Sequence, residues 1–220
     1  MLPRKTPLAC LLACLAALLF APVYAQKGAG ANIGLMVYAV KSPQMYADPV
    51  TNLKWMQIEV QIEAGNNINP AAINKDFFER VKVTPIFAWG TKRGGQFSIQ
   101  TAFDASVEIA SMPARSRKSI YFYLPPEVVE QWMLRSAPPT FYYVEVSYAG
   151  VVAQPAKNSV PSVMQDSIEH LDGFKQFCAE KIALNRGILL PHNLAPGYFL
   201  SAPYVSNAMA NLIFPIPQGK

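Results

Sequence analysis

Between Leu53 and Asn67 the chain reads "LKWMQIEVQIEAGNN". Met56, Ile58, Val60 and Ile62 alternate with Gln57, Glu59, Gln61 and Glu63. Successive side chains of a strand point to opposite faces, so this pattern predicts a half-buried strand from Lys54 to Glu63. The Gly, Asn and Pro of "GNNINP" end it.

The same period recurs on both sides. "GLMVYAV" (Gly34 to Val40) predicts a strand, and "KSPQMYADPVTN", with two prolines, predicts a loop. After a helical turn expected at Pro70 to Phe77, "ERVKVTPIFAWG" predicts a strand with Val81 and Val83 on one face. Pro85 cannot donate to a ladder, which suits an edge strand or a bulge. The Gly-Gly of "TKRGGQ" predicts a hairpin. "QFSIQTAF", "SVEIA", "SIYFYLP" and "TFYYVEVSYAG" add further strands, and "VVAQP" pairs back across Ala149-Gly150. "PPEVVEQWML" predicts a short helix, with Pro tolerated in its first turn and Glu127 at the positive end of its dipole.

From Ser162 the period changes to about 3.6 residues. Met164, Ile168, Leu171, Phe174, Cys178 and Ile182 fall on one helical face. Ser162 and Gln165 have capping-box spacing, Lys181 and Arg186 suit the C-terminal end, and Gly187 can close the helix. Gly173 costs about 1 kcal/mol relative to Ala, which allows a kink. The tail beyond is rich in Pro, Asn and Ala but also carries Ile188, Leu189, Tyr198, Phe199, Ile213 and Phe214. It either wraps the domain and completes its core or offers "NLIFPIP" to a partner by strand addition.

Seven or eight short strands separated by turn signals, without intervening helices, predict a mainly β protein. The expected fold is an immunoglobulin-like β-sandwich over 31–154, with a C-terminal helix and an extended apolar tail packed on it over 155–220. A small closed barrel is the alternative. The usual cysteine–tryptophan–cysteine spacing is missing.

The N-terminus changes the compartment. Arg4 and Lys5, the apolar run Leu8 to Phe20 and "APVYAQ" are the parts of a secretory signal peptide at 1–25, cleaved after Ala25. The apolar run is shorter than the roughly 20 residues of a membrane span. "LLAC", ending at Cys14, has the form of a lipoprotein site, but the apolar run continues past it. Export is therefore expected, to the periplasm, outer surface or medium. Removing the signal leaves about 195 residues with Cys178 alone, so no internal disulfide forms. The net charge falls from +5 by two, and no basic run suggests nucleic acid.

Few residues point to chemistry. His170 follows Asp166 by four residues on the expected helix, an ion-pair spacing. His192 sits between prolines with no ligand partner at helical spacing, and Cys178 falls on an apolar face. No metal, cofactor or nucleophile motif is present, so no cofactor is expected. Glu59 and Glu63 would stand about 13 Å apart on one strand face. That is wider than the roughly 5 to 9.5 Å of a glycosidase pair, so the reading is a solvated sheet face shared with Gln57 and Gln61.

Two groups remain as candidate contact residues. Lys92 and Arg93 at one turn, and Arg115, Arg117 and Lys118 at another, could contact an anion. They would form one patch only if Asp104-Ala105 is a tight turn, and lie at opposite ends if Gln96 to Ala110 is one strand. "IYFY" and "FYYV" cannot point wholly inward, which makes Tyr121, Tyr123, Tyr142 and Tyr143, with Ile213 and Phe214, a candidate protein interface.

"NIGLMVYAV", "KWMQIEVQIEAGNNIN", "FFERVKVTPIFAWGTK" and "YFYLPPEVVEQWML...TFYYVEVSYAG", behind a signal peptide, resemble secreted immunoglobulin-like proteins found beside pilus-assembly components in Gram-negative bacteria. The resemblance covers about 31–153 and is one of layout. It implies an exported, non-catalytic binding or structural module with a protein partner at the envelope or pilus. The chain departs from a type IV pilin because its apolar run lacks an acidic residue and is expected to be cleaved, so an accessory or head-like protein is implied. The competing expectation is an exported enzyme or carbohydrate-recognising domain built from scattered residues.

Overall fold

The computed structural model describes residues 32–48, 51–93, 96–135, 137–153, 171–195 and 213–215. The expected signal peptide, the Ser162–Gln165 capping box, Met164, Ile168 and the Asp166–His170 pair lie outside the described residues.

The period-two runs form two antiparallel sheets. The first contains β1 (Leu35–Val40), β2 (Gln44–Ala47), β3 (Lys54–Ala64), β7 (Arg117–Leu124) and β10 (Leu190–Pro191), ordered β1-β3-β7-β10 with β2 also on β3. The second contains β4 (Phe77–Arg93), β5 (Gln96–Asp104), β6 (Val107–Pro113), β8 (Phe141–Tyr148), β9 (Val151–Val152) and β11 (Ile213–Pro215). Its order is β11-β6-β4-β8-β9, with β5 also on β4. The chain changes sheets between β3 and β4, between β6 and β7, and between β7 and β8. This is the connectivity of an immunoglobulin-like sandwich.

Alternation explains the core. Met56, Ile58, Val60 and Ile62 of β3 are at most 1% exposed, facing Val81, Val83 and Phe87 of β4 at 0%. Phe87 and Phe122 meet edge to face between the sheets, with centroids 6.2 Å apart. Trp89 packs edge-on against Phe103 at 5.9 Å, and its Nε1–H donates to the Ala137 carbonyl at 2.9 Å. The indole is thus satisfied without the disulfide on which an immunoglobulin tryptophan usually rests.

Three expectations about strands change. "QMYA" is strand β2 rather than loop, because the first half of β3 finds its outer partner there, from Gln44↔Gln57 to Ala47↔Lys54. Pro70 to Asp76 forms turns and bends instead of helix, and Phe77 already belongs to β4. Asn69 and Asn74 accept from the Ala71 and Asp76 amides at 3.0 and 2.8 Å, local bonds that compete with helix. Pro85 is not at an edge, since β4 lies between β8 and the β5–β6 pair. β6 and β5 run end to end beside β4, with rungs to Val83↔Val107 and again from Ile86↔Asp104. Pro85 occupies the gap, where a missing N–H removes no recorded rung on that side. The Ala149-Gly150 turn, with φ of 51° and 77°, returns the chain from β8 to β9 as expected.

Helix α1 (Pro126–Gln131) caps one end of the sandwich through buried Val129. Helix α2 (Leu171–Leu184) lies across the outer face of the second sheet. Its Phe174 and Cys178, both 0% exposed, pack with Ile86, Ala88, Phe141 and Tyr143. The Asn185 side-chain amide ties the helix end to β5, donating to Thr101 Oγ1 at 2.9 Å and the Ala102 carbonyl at 3.0 Å. Gly187 follows at φ 77°. Beyond it the described parts of the tail do more than pack on the sandwich: β10 joins β7, and β11 joins β6 from Ile213↔Ile109 to Pro215↔Val107.

Candidate functional site

The outer face of the first sheet is where polar chemistry collects. The β3–β7 register sets Gln57 opposite Tyr123, Glu59 opposite Tyr121, Gln61 opposite Ser119 and Glu63 opposite Arg117. These opposed pairs bond to each other or to their neighbours. Gln57 Nε2 donates to the Tyr123 hydroxyl at 2.7 Å. Ser119 Oγ and Gln61 Nε2 donate to Glu59 Oε1 at 2.6 and 2.7 Å, and Lys41 Nζ stands 3.1 Å from the same oxygen. Arg117 Nε donates to Glu63 Oε2 at 2.8 Å while its guanidinium lies 3.7 Å from the centre of the Tyr38 ring. The expected solvated row is therefore more enclosed than its pattern suggested; the Glu59 side chain is only 16% exposed. Burial pushes the Glu59 carboxyl up, but the bonds from Ser119, Gln61 and Lys41 together hold it below its ordinary value.

A short 3-10 turn, His192–Leu194, closes over part of this face. The His192 ring is 5% exposed. It lies against Tyr121 and Tyr123, with centroids 6.2 and 5.9 Å away. The Tyr123 hydroxyl is 3.2 Å from His192 Nδ1. Burial pushes the Tyr123 hydroxyl up to about 12, so it stays protonated and shares a hydrogen bond with the His192 ring. Both His192 Nε2 and Asn193 Oδ1 are buried without a hydrogen-bond partner.

The aromatic interface set is divided. Tyr123 and Tyr143 are 1% and 3% exposed, so neither offers a free surface. Tyr143 lies beneath α2, with Lys175 Nζ 4.8 Å from its ring centre, and burial raises its hydroxyl further than the charges of Glu145 and Asp172 do. Tyr142 packs against the sandwich core, while Tyr121 remains half-buried at the strap. Ile213 and Phe214 lie on β11, already paired within the chain.

The basic set is dispersed as well. Since β5 and β6 follow one another along β4, the Lys92–Arg93 turn and the Arg115 to Lys118 segment stand at opposite ends, and no joint patch forms. Arg115 is exposed and Arg117 is paired with Glu63. Lys118 points inward opposite Ile62 at 8% exposure, and burial alone lowers its ammonium to about 8. Its side chain is therefore not part of an exposed basic surface.

Cys178 is buried beneath α2 as expected of a hydrophobe, its thiol pushed up to about 12 by burial. Among the described residues, no three His, Cys, Asp or Glu side chains gather as metal ligands. No helix among them is long and apolar enough to cross a membrane. At the end of the sandwich away from the β4–β5 hairpin, an open cleft of about 580 Å³ runs between the 69–74 loop and Arg80, Lys82 and Glu108. Arg80 has φ 55° there and pairs with Glu108 at 2.9 Å. Sequence periodicity signals neither this residue nor the Tyr123–His192 contact.

No family model matches the chain, and no curated protein matches it. A crystal structure from Akkermansia muciniphila is similar over 76% of this chain and 89% of its own, with 14% identity and a TM-score of 0.46.

Proposed function

We propose that this protein is an exported, non-catalytic binding or structural module of the bacterial envelope, acting as a pilus-associated or surface-attachment accessory protein. The carrying observation is the strand addition of Ile213–Pro215 to the β6 edge. An edge that accepts an apolar extended segment from its own chain has the backbone pattern needed to accept one from a partner. The signal-peptide pattern supports export. The buried positions of Cys178 and His192 support a structural role for the residues with the most reactive side chains.

The test is a pull-down from envelope and surface fractions, comparing the exported chain with a version ending after Asn211. That endpoint removes β11 but keeps Leu189, His192 and Ala195, which are buried. The proposal expects a surface-fibre component with the full chain and altered recovery without β11. A glycan or small-molecule turnover activity, with no envelope protein recovered by either version, overturns it.

A further inference from the structure

The segment 188–195 is attached to the first sheet by a small number of interactions. β10 contributes two rungs, Leu190↔Tyr123 and Pro191↔Phe122, and Pro191 has no N–H to give. Leu189 and Ala195 bury apolar surface at either end. Between them the largest inserted group is the His192 ring, wedged against Tyr121 and Tyr123. We propose that His192 is a pH-sensitive latch: neutral, it holds the 188–195 strap on β7; protonated, it releases the strap.

The geometry favours the neutral ring for two reasons. Nδ1 shares a hydrogen bond with the Tyr123 hydroxyl, whose oxygen also receives a Gln57 amide proton. Protonation makes both ring nitrogens donors, and Nε2, which is buried without a hydrogen-bond partner, would then carry a proton with no acceptor. Among the described residues, no carboxylate stands against the ring as a counter-ion either. Among the described residues, the titratable groups against the ring are Tyr121 and Tyr123 from β7, with Tyr46 from β2 packed beside Tyr123. Beyond Tyr121 stands Glu59 of β3, whose carboxylate is occupied by Ser119, Gln61 and Lys41. β11 brings only Ile, Phe and Pro. Burial, with no charge opposing it, holds the His192 imidazole below its ordinary 6.5.

The sign follows directly. A released strap carries an imidazole that protonates near 6.5, whereas the docked one protonates lower. Docking is therefore fully favoured above 6.5 and weakens as pH falls through that value toward the docked one. In that window the released fraction rises as pH falls, by at most about tenfold for each pH unit.

The test is hydrogen–deuterium exchange of the purified protein from pH 7.5 to 5, corrected for intrinsic rates. The latch predicts that protection in 188–195 falls as pH drops below 6.5, by up to about tenfold per unit, while β3 and β7 amides keep theirs. His192→Gln, which stays neutral, should be flat with pH, and His170→Gln should respond like the wild type. A flat wild-type strap, an equal response in His192→Gln, or simultaneous loss of β3 and β7 protection overturns the latch. Should His192→Gln fail to fold, proton NMR of the wild-type ring decides. A midpoint at or above 6.5 overturns the proposal, and a lower midpoint accompanied by strap opening supports it.

Discussion

Thr84 Oγ1 and Ser106 Oγ lie 2.6 Å apart, joined by a hydrogen bond at the gap between the β4–β6 and β4–β5 ladders. The rungs stop at Val83↔Val107 and resume at Ile86↔Asp104, three residues further on each strand. Register is therefore conserved across the gap, and the two hydroxyls replace a backbone rung beside Pro85. A double-mutant cycle with Thr84→Ala and Ser106→Ala, followed by urea unfolding, should give a coupling of about 0.5–1.5 kcal/mol. Additive losses would mean that water satisfies both hydroxyls and that the ribbon is aligned by its flanking rungs alone.

Gly34 and Gly150 separate two costs of placing a side chain at positive φ. Their φ values are 79° and 77°. A Cβ on Gly34 would overlap the Asn66 carbonyl oxygen, while one on Gly150 would meet nothing within 4 Å. Gly150→Ala should cost the conformational penalty alone, about 1–2 kcal/mol. Gly34→Ala must also displace the start of β1 from the 65–66 backbone, where the Gly65 amide donates to the Gly34 carbonyl at 2.7 Å. Its loss in thermal or chemical unfolding should exceed that of Gly150→Ala, and equal losses would show that the 65–66 segment yields freely.

Most of the sandwich was legible because most strands have one buried face. β3 shows this best: its inward row from Met56 to Ala64 is apolar throughout, and its outward row from Gln57 to Glu63 is amide and carboxylate. The signal weakens where both faces are covered. In β8, Val144 and Val146 face the core while Phe141 and Tyr143 lie under α2, so aromatic residues on both sides do not mean an exposed interface. β2 was missed because four residues between prolines carry too little periodicity, and β3 recruits them through tertiary pairing. Pro85 was misplaced because local sequence does not reveal that β4 changes partners there. The strap site was the least legible. His192 and Tyr123 are 69 residues apart, and an isolated histidine among prolines announces no partner.

Cys178 gives a sharp test of how α2 is seated. The thiol is 0% exposed, and burial holds it up at about 12. It should resist a thiol reagent at pH 8 in the native state and react at the rate of global unfolding in urea. Cys178→Ser would bury a hydroxyl among Phe174, Phe141 and Ala102 and should cost about 1–3 kcal/mol, more than Cys178→Ala if no partner is found. Rapid native labelling would instead mean that α2 lifts from the second sheet independently of the rest. Phe174→Ala, which removes the ring packed 6.4 Å from Phe141, should then accelerate that opening.

Glu59 predicts the acid limb of stability. Burial would raise its carboxyl, yet hydrogen bonds from Ser119, Gln61 and Lys41 outweigh burial and lower it. A depressed folded-state value means that the unfolded chain takes up the proton first. The Glu59 contribution is therefore fully present above its unfolded value of 4.5 and is lost as pH falls from there through the folded one. Ser119→Ala removes the foremost of those hydrogen bonds, so the Glu59 carboxyl should titrate higher, and acid unfolding should begin at a higher pH. The measurement is a carboxyl carbon NMR titration of Glu59 in both proteins beside an acid-unfolding curve. An unchanged Glu59 midpoint in Ser119→Ala would assign its depression to Lys41 and Gln61. A Lys41→Met variant should then produce the upward shift, stronger at low salt, because the ammonium acts partly through its charge across the partly solvated face.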